Sequence, residues 1–372
     1  MQIKEYNLNY FYGWWKNIDK SILFIVLTLF CLGLFFSFVS TSLIASDKLQ
    51  TNSYYFFLKH FLFVMIGIVS LFGFSILNQK QLFLLSKILF IIFLILLILV
   101  PFLGVEVKGS KRWIEIGFMP RLQPIELLKP FFVVMISSAL VTEKYKNKYF
   151  NYFISLFILI PVVFLLSTQP DIGQSLLVTM TWLALIFVSG INLYIFFSFF
   201  FLLIASTAYL IFFVEKFEYI KLRIISFLDQ SSGNNYQSEK ASEAIISGGF
   251  FGKGVGEGTL NSRIPEAHTD YIVSVISEEF GIIIVLAIIL IFIFLAYQII
   301  KKIPLEEENI IKLILLGLVS ILILQTFVHI GVNIRILPTT GMAMPFLSYG
   351  GSSIISNSIL AGIILNLTRR KI

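Results

Sequence analysis

A small set of residues combines a reactive type with a telling position. Asp270 closes the segment Pro265-Glu266-Ala267-His268-Thr269-Asp270, just ahead of a long apolar run. A carboxylate at such a border can cap a helix, act as a general base or hold a divalent cation. Arg263, Glu266 and His268 add three polar groups at the same border. Lys111, Arg112 and Trp113 follow one another directly. Arg and Lys suit phosphate oxygens, and Trp either stacks on a sugar or isoprenoid face or anchors the chain at a membrane surface. Glu126 and Lys129 are spaced i,i+3 within another apolar run. That spacing lets them pair, while ionisable groups inside a span are also functional candidates. Ser348 sits in Pro345-Phe346-Leu347-Ser348-Tyr349-Gly350-Gly351-Ser352-Ser353. Such proline, glycine and hydroxyl content at membrane depth implies broken helix covered by protein or lining a cavity.

The elements that must position these groups follow from composition. Of 372 residues, 58% are apolar and only 13% charged, and 40 are Phe. A soluble domain carries about a quarter charged residues, so the excess apolar surface here must face lipid. Disorder, a secreted disulfide scaffold and a nucleic-acid-binding domain are set aside on the same numbers. Cys31 is the single cysteine, and the three histidines are far apart in sequence with no Cys/His metal spacing. The first apolar run is too long for a signal peptide and is read as an uncleaved span.

A helix needs about 20 apolar residues to cross the hydrocarbon core. That ruler predicts an all-α polytopic membrane protein of about ten spans, near 22–45, 55–77, 82–105, 125–142, 151–168, 173–190, 193–214, 271–299, 312–334 and 349–367. The chain reads as one membrane domain, 1–372, with tails at 1–21 and 368–372 and a large loop at 215–270. Placing both termini in the cytoplasm leaves thirteen basic residues inside and twelve outside. Ten of those twelve fall in the loops 106–124 and 215–270. The positive-inside rule therefore holds if those two loops keep their cations for an anionic ligand. The longer loop is predicted to hold two short interfacial helices, Tyr219 to Leu228 and Gln237 to Ile246, and then a glycine-rich turn. That turn, Gly248-Gly249-Phe250-Phe251-Gly252-Lys253-Gly254, has neither the P-loop nor the dinucleotide spacing. No nucleotide cofactor is expected.

Six ordered motifs together resemble one family. They are Lys111-Arg112-Trp113-Ile114, Gln123-Pro124-Ile125-Glu126 with Lys129, Gln169-Pro170-Asp171-Ile172-Gly173, Gly248-Gly249-Phe250-Phe251-Gly252, Pro265 to Asp270 and Pro345 to Ser353. In this order they resemble the SEDS proteins of shape, elongation, division and sporulation, from about residue 20 onward. Pro265 to Asp270 and Gly341 to Pro345 are more like the division branch than the elongation branch, and Ile125 stands where the family usually has Ser.

The resemblance implies a ten-span fold with cytoplasmic termini in the bacterial inner membrane, at the division septum. It implies a peptidoglycan glycosyltransferase that polymerises lipid II at the outer face. The carboxylate itself makes a divalent cation, Mg or Mn, a candidate cofactor at Asp270. The resemblance makes Asp270 the essential aspartate and Trp113 the important tryptophan. Lys111, Arg112, Glu126, Lys129, Arg263, Glu266, His268 and Ser348 complete the expected substrate-binding set. Implied partners are lipid II, a class B penicillin-binding transpeptidase and other division-complex membrane proteins. The competing expectation is a lipid II flippase, in which intramembrane Glu126, Lys129, Glu278 and His329 line a polar path.

Overall fold

The computed structural model describes residues 12–48, 55–107, 110–115, 121–142, 148–228, 236–260, 264 and 266–369. Arg263, Lys108, Pro265 and the ends of both predicted tails lie outside the described residues.

Long apolar runs become long helices because in lipid every backbone polar group must be satisfied within its own segment. They are α1 (Lys20–Lys48), α2 (Tyr55–Ile76), α3 (Gln79–Leu103), α4 (Pro124–Val141), α5 (Lys148–Thr168), α6 (Ile172–Val188) and α7 (Leu193–Phe213). Two amphipathic helices follow, α8 (Glu218–Leu228) and α9 (Tyr236–Gly248). The set closes with α10 (Ile272–Phe280), α11 (Ile282–Ile300), α12 (Asn309–Asn333) and α13 (Gly351–Leu367). Among the described residues eight helices are long and apolar enough to span a membrane, while α6 and α13 are apolar but shorter. Each predicted apolar run is helical at its place, with α10 and α11 sharing 271–299.

The helices sort by burial. α7 has no buried residue and presents Phe197, Phe201, Leu202 and Phe212 outward, as lipid contact demands. α4, α12 and α13 form the interior. α13 is buried along nearly its whole length although it carries Ser352, Ser353, Ser356, Asn357 and Ser358. Small residues let it approach α2 closely, with Gly67 against Ser358 and Gly362 against the Leu71 carbonyl.

Two differences from the sequence expectation matter for the site. The loop at 106–124 contains an antiparallel hairpin of β1 (Val105–Val107) and β2 (Ser110–Trp113), with Glu106 opposite Lys111. The run 271–299, expected to be one span, is split into α10 and α11 at Gly281, whose φ is 84°. Tertiary pairing causes the break. The glycine-rich turn lies along it, with Lys253 and Gly254 amides donating to the Glu278 and Glu279 carbonyls and Ile282 N to Gly249 O. Glu278, fully buried, pairs with Lys253 Nζ at 3.0 Å and accepts from the Thr259 and Leu260 amides. A Cβ on Gly281 would collide with the Phe250 carbonyl.

Gly281→Ala combines that collision with an unfavourable φ and is expected to destabilise the protein by about 1–3 kcal/mol. Gly73→Ala, which meets nothing within 4 Å, should be neutral or slightly stabilising in thermal unfolding of the detergent-purified protein.

Candidate active site

The last turn before α10 is where the strongest candidate sits. Asp270 is partly exposed and is not the cap of α10, a position that Tyr271 takes without a side-chain bond. Its position is fixed through the backbone. Tyr349 N donates to the His268 carbonyl at 3.0 Å, Ser348 Oγ to the Thr269 carbonyl at 2.6 Å and Asn333 Nδ2 to the Asp270 carbonyl at 3.1 Å. Asn333 is itself saturated, donating also to His329 O at 2.8 Å and accepting from Ser274 N and Oγ. Glu266, at φ 60°, accepts the Thr269 hydroxyl at 2.9 Å. The His268 ring packs against Phe56 and Tyr349, with centroids 5.4 and 5.7 Å away.

A second group comes from the hairpin and the turn between α5 and α6. Arg112 Nη1 lies 3.7 Å from Asp171 Oδ1, its Nε donates to Gln169 O at 3.2 Å and its Nη2 to Pro170 O. Asp171 caps α6 by accepting from Gln174 N and takes a further bond from Gln123 Nε2 at 3.1 Å. Burial pushes the Asp171 carboxyl up, and the Arg112 guanidinium pulls it back down.

Arg223, on α8, joins the two groups. It donates to Thr339 O, and the segment after Thr339 runs past Asp270, where a Cβ on Gly341 would lie 3.5 Å from Oδ2. Burial, and then neighbouring Arg112, hold Arg223 below the ordinary guanidinium range, with Tyr219, Asp171 and Tyr271 opposing. Burial raises the Tyr271 phenol, the charge of Asp270 adds to this and Arg223 opposes it. Asp270, Tyr271, Arg223, Arg112 and Asp171 thus form one electrostatic neighbourhood. Arg112 has a carboxylate partner, whereas among the described residues no carboxylate lies within ion-pair reach of Arg223. The Tyr219 hydroxyl beside it is buried without a hydrogen-bond partner. Two guanidiniums, a phenol and a carboxylate at one rim can hold a diphosphate and accept a proton next to it.

The structure redistributes the other expected site residues. Glu126 and Lys129, read as substrate groups, are 3% and 1% exposed and pair at 2.9 Å. Lys129 also donates to Gln325 Oε1 at 2.9 Å, and Gln174 Nε2 donates to Glu126. Two buried opposite charges must be paired to be tolerated, and this network ties α4, α6 and α12 together. Ser348, 1% exposed, spends its donor on Thr269 and its acceptor on Met344 N. The first of these bonds ties it to the Asp270 loop. Glu266 and His268 are likewise engaged within the loop and its aromatic surroundings. Lys111 is exposed on β2, and Trp113 is half-buried on the same strand. Arg263 lies outside the described residues. Arg223, Tyr271 and Asn333 were not singled out from sequence. Arg223 had one signal, as a basic residue within a predicted interfacial helix.

The fold and this rim define a polytopic helical membrane protein whose carboxylate-and-guanidinium site lies at the end of the helix bundle. The family described as Cell cycle protein, that of FtsW, RodA and SpoVE, matches residues 19–372, and the chain belongs to it. The SEDS motifs indicated the same family. The chain is 33% identical over 365 residues to the probable peptidoglycan glycosyltransferase FtsW of Coxiella burnetii, covering 94% of this chain and 96% of that one. It is 29% identical over 362 residues to the protein of the same name in Caulobacter vibrioides, covering 96% and 91%. Among solved structures it resembles a chain of a peptidoglycan synthase complex that coordinates polymerization and crosslinking, with TM-score 0.76, 24% identity and coverage of 94% and 97%. It also resembles the rod shape determining protein RodA of Thermus thermophilus, with TM-score 0.69, 24% identity and coverage of 94% and 96%. Both likenesses show the fold.

Arg112→Ala leaves Asp171 buried without its cation and is expected to destabilise by about 3–5 kcal/mol. Adding Asp171→Asn should recover part of that loss. A thermal double-mutant cycle in which the two effects simply add would remove the pairing from the account.

Proposed function

We propose that the protein is a peptidoglycan glycosyltransferase that polymerises lipid II at the outer face of the bacterial inner membrane during septal wall synthesis. In this reading the chain crosses the membrane ten times, with both termini in the cytoplasm. The observation that carries it is Asp270, its loop held through three backbone carbonyls, with Arg223 acting on the same Tyr271 phenol as Asp270 and having no carboxylate partner among the described residues.

The chemistry follows from the groups present. The acceptor sugar 4-hydroxyl attacks the anomeric carbon of the donor, the new C–O bond forms and the bond to the diphosphate oxygen breaks. The proton of the hydroxyl passes to Asp270. Arg223, with Arg112 behind it, stabilises the negative charge on the departing lipid diphosphate. Energy resides in the leaving group, which accords with the absence of a nucleotide motif in the sequence. Trp113 and Lys111, on the strand carrying Arg112, extend the rim for the sugar or the lipid. Among the described residues no three His, Cys, Asp or Glu side chains converge. In the alternative role Asp270 would instead hold a Mg or Mn ion, which would supply charge neutralisation at the substrate phosphates. A class B penicillin-binding transpeptidase is the partner that fits this product, since it cross-links new glycan, and other division-complex membrane proteins would assemble with the pair.

Transport of lipid II is the weaker reading. A polar path needs charges that reach water, and Glu126, Lys129, Glu278 and His329 are 3%, 1%, 0% and 1% exposed.

Purified protein, with and without the transpeptidase, should extend labelled lipid II. A general base contributes ~10²–10⁴-fold, so Asp270→Asn should retain far less than a tenth of the rate, and retention above that level rejects the base. Arg223→Ala should cost about 10²–10³-fold in turnover. An unchanged rate would remove it from the clamp.

Asn333→Leu keeps side-chain bulk but frees the Asp270 carbonyl. Misplacement of a reacting group by about 1 Å costs ~10²-fold, so kcat should fall steeply with KM little changed. An equal change in both would mark a merely structural residue.

A further inference from the structure

The membrane face opposite Asp270 carries a recess that the polymerase reading does not use. Its location follows from helix direction. α11 and α13 begin near the Asp270 loop, and α11 ends at Ile300 and α13 at Leu367. Lys302 and Thr368, just past those two ends, meet the start of α1 around a cleft of about 370 Å³. Residues 16–21, from Lys16 to Ser21, supply the rest of its wall.

The charge of this wall is uneven. Three lysines face one carboxylate, and that carboxylate is committed. Asp19 pairs with Lys302 at 2.7 Å, and its Oδ1 accepts from the Ser21 and Ile22 amides at the start of α1. Lys16 and Lys20 are exposed and have no acidic partner among the described residues. The carboxylates of the turn at 306–308 do not line the cleft. Lysines serving topology alone have no reason to converge on one recess.

The surroundings place the recess at lipid head-group level. Tyr12 is 70% and Trp15 39% exposed, in the short helical run ahead of α1. Lys20 Nζ sits 5.4 Å from the Trp15 ring centroid. Exposed Trp and Tyr mark the membrane–water interface. Basic pockets between spans at that level bind anionic head groups.

We propose that this cleft binds the phosphate head group of an anionic phospholipid, with Lys16 and Lys20 as its principal contacts and Lys302, anchored by Asp19, as a fixed third cation. The lipid tails would lie along the outward surface of α1, where Phe24 is 57% exposed.

Native mass spectrometry of the full chain would test the site, with phosphatidylglycerol, phosphatidylethanolamine or inorganic phosphate added to the detergent-purified protein. Wild type should retain phosphatidylglycerol in preference to phosphatidylethanolamine. Each lysine near an anionic surface contributes about 1 kcal/mol, so Lys16→Gln with Lys20→Gln should weaken retention about tenfold or more. Lys301→Gln, an exposed lysine of the same turn outside the cleft, should leave it unchanged. Three results would overturn the proposal. They are undiminished retention in the double variant, an equal loss in Lys301→Gln, which would mark a diffuse field, and binding of inorganic phosphate that displaces the lipid. The replaced side chains are exposed, and thermal unfolding of each variant should match wild type. Polymerisation by the double variant should proceed at the wild-type rate in detergent, which separates this site from the Asp270 site.

Discussion

Three successive carbonyls, those of His268, Thr269 and Asp270, are held by groups that arrive from more than sixty residues away in the chain. A carboxylate on a loop is ordinarily free to wander, and a wandering base contributes little, because its value lies in being placed before the reaction begins. Here the loop borrows rigidity from α12 and from the segment leading into α13. Asn333 is the central tie. It is fully buried, so each of its hydrogen bonds is made where water cannot compete. Remove these ties and Asp270 keeps its chemistry but loses its address.

The same constraint explains why the interior of this membrane protein is so polar. α13 carries a run of hydroxyls and two asparagines through the bundle, and most are spent on backbone carbonyls and amides. Ser356 donates to Glu126 O, Ser352 Oγ accepts from Gln123 N, and Asn366 bonds the carbonyls of Phe74, Ser75 and Leu77 at the end of α2. These contacts fasten the helix whose preceding segment positions Asp270. The Glu126–Lys129 pair belongs with them. Its burial makes it poor evidence for net stability, since desolvation opposes the attraction, but its geometry sets the register of α4 against α6 and α12.

Charge at the rim is arranged differently. Arg112 is neutralised locally by Asp171 and by two carbonyls, so it acts mainly as a brace between the hairpin and the turn ahead of α6. Arg223 stands next to it on an amphipathic helix that lies outside the spans. Two guanidiniums close together and half-buried are unfavourable alone, a cost that an anion between them would offset. The positive rim thus has two layers, one from the hairpin and a second on α8.

Sequence by itself determined the membrane class, the place of the apolar runs and the two amphipathic helices, and it marked Asp270 as a candidate. Those features are local: a run of twenty apolar residues has one stable solution in lipid, and a motif is read along the chain. Tertiary structure decided the rest. It buried Glu126 and Lys129 in a network of their own, brought Ser348 and Asn333 together as ties of the Asp270 loop, and set Arg223 and Tyr271, which the sequence did not single out, at the rim. It also broke the run at 271–299 at Gly281 and made a hairpin in the loop after α3. The physical reason is the same in each case. Whether a polar side chain meets a ligand or a neighbouring helix depends on partners distant in the chain, and an apolar run records that a segment is buried without recording what it is buried against.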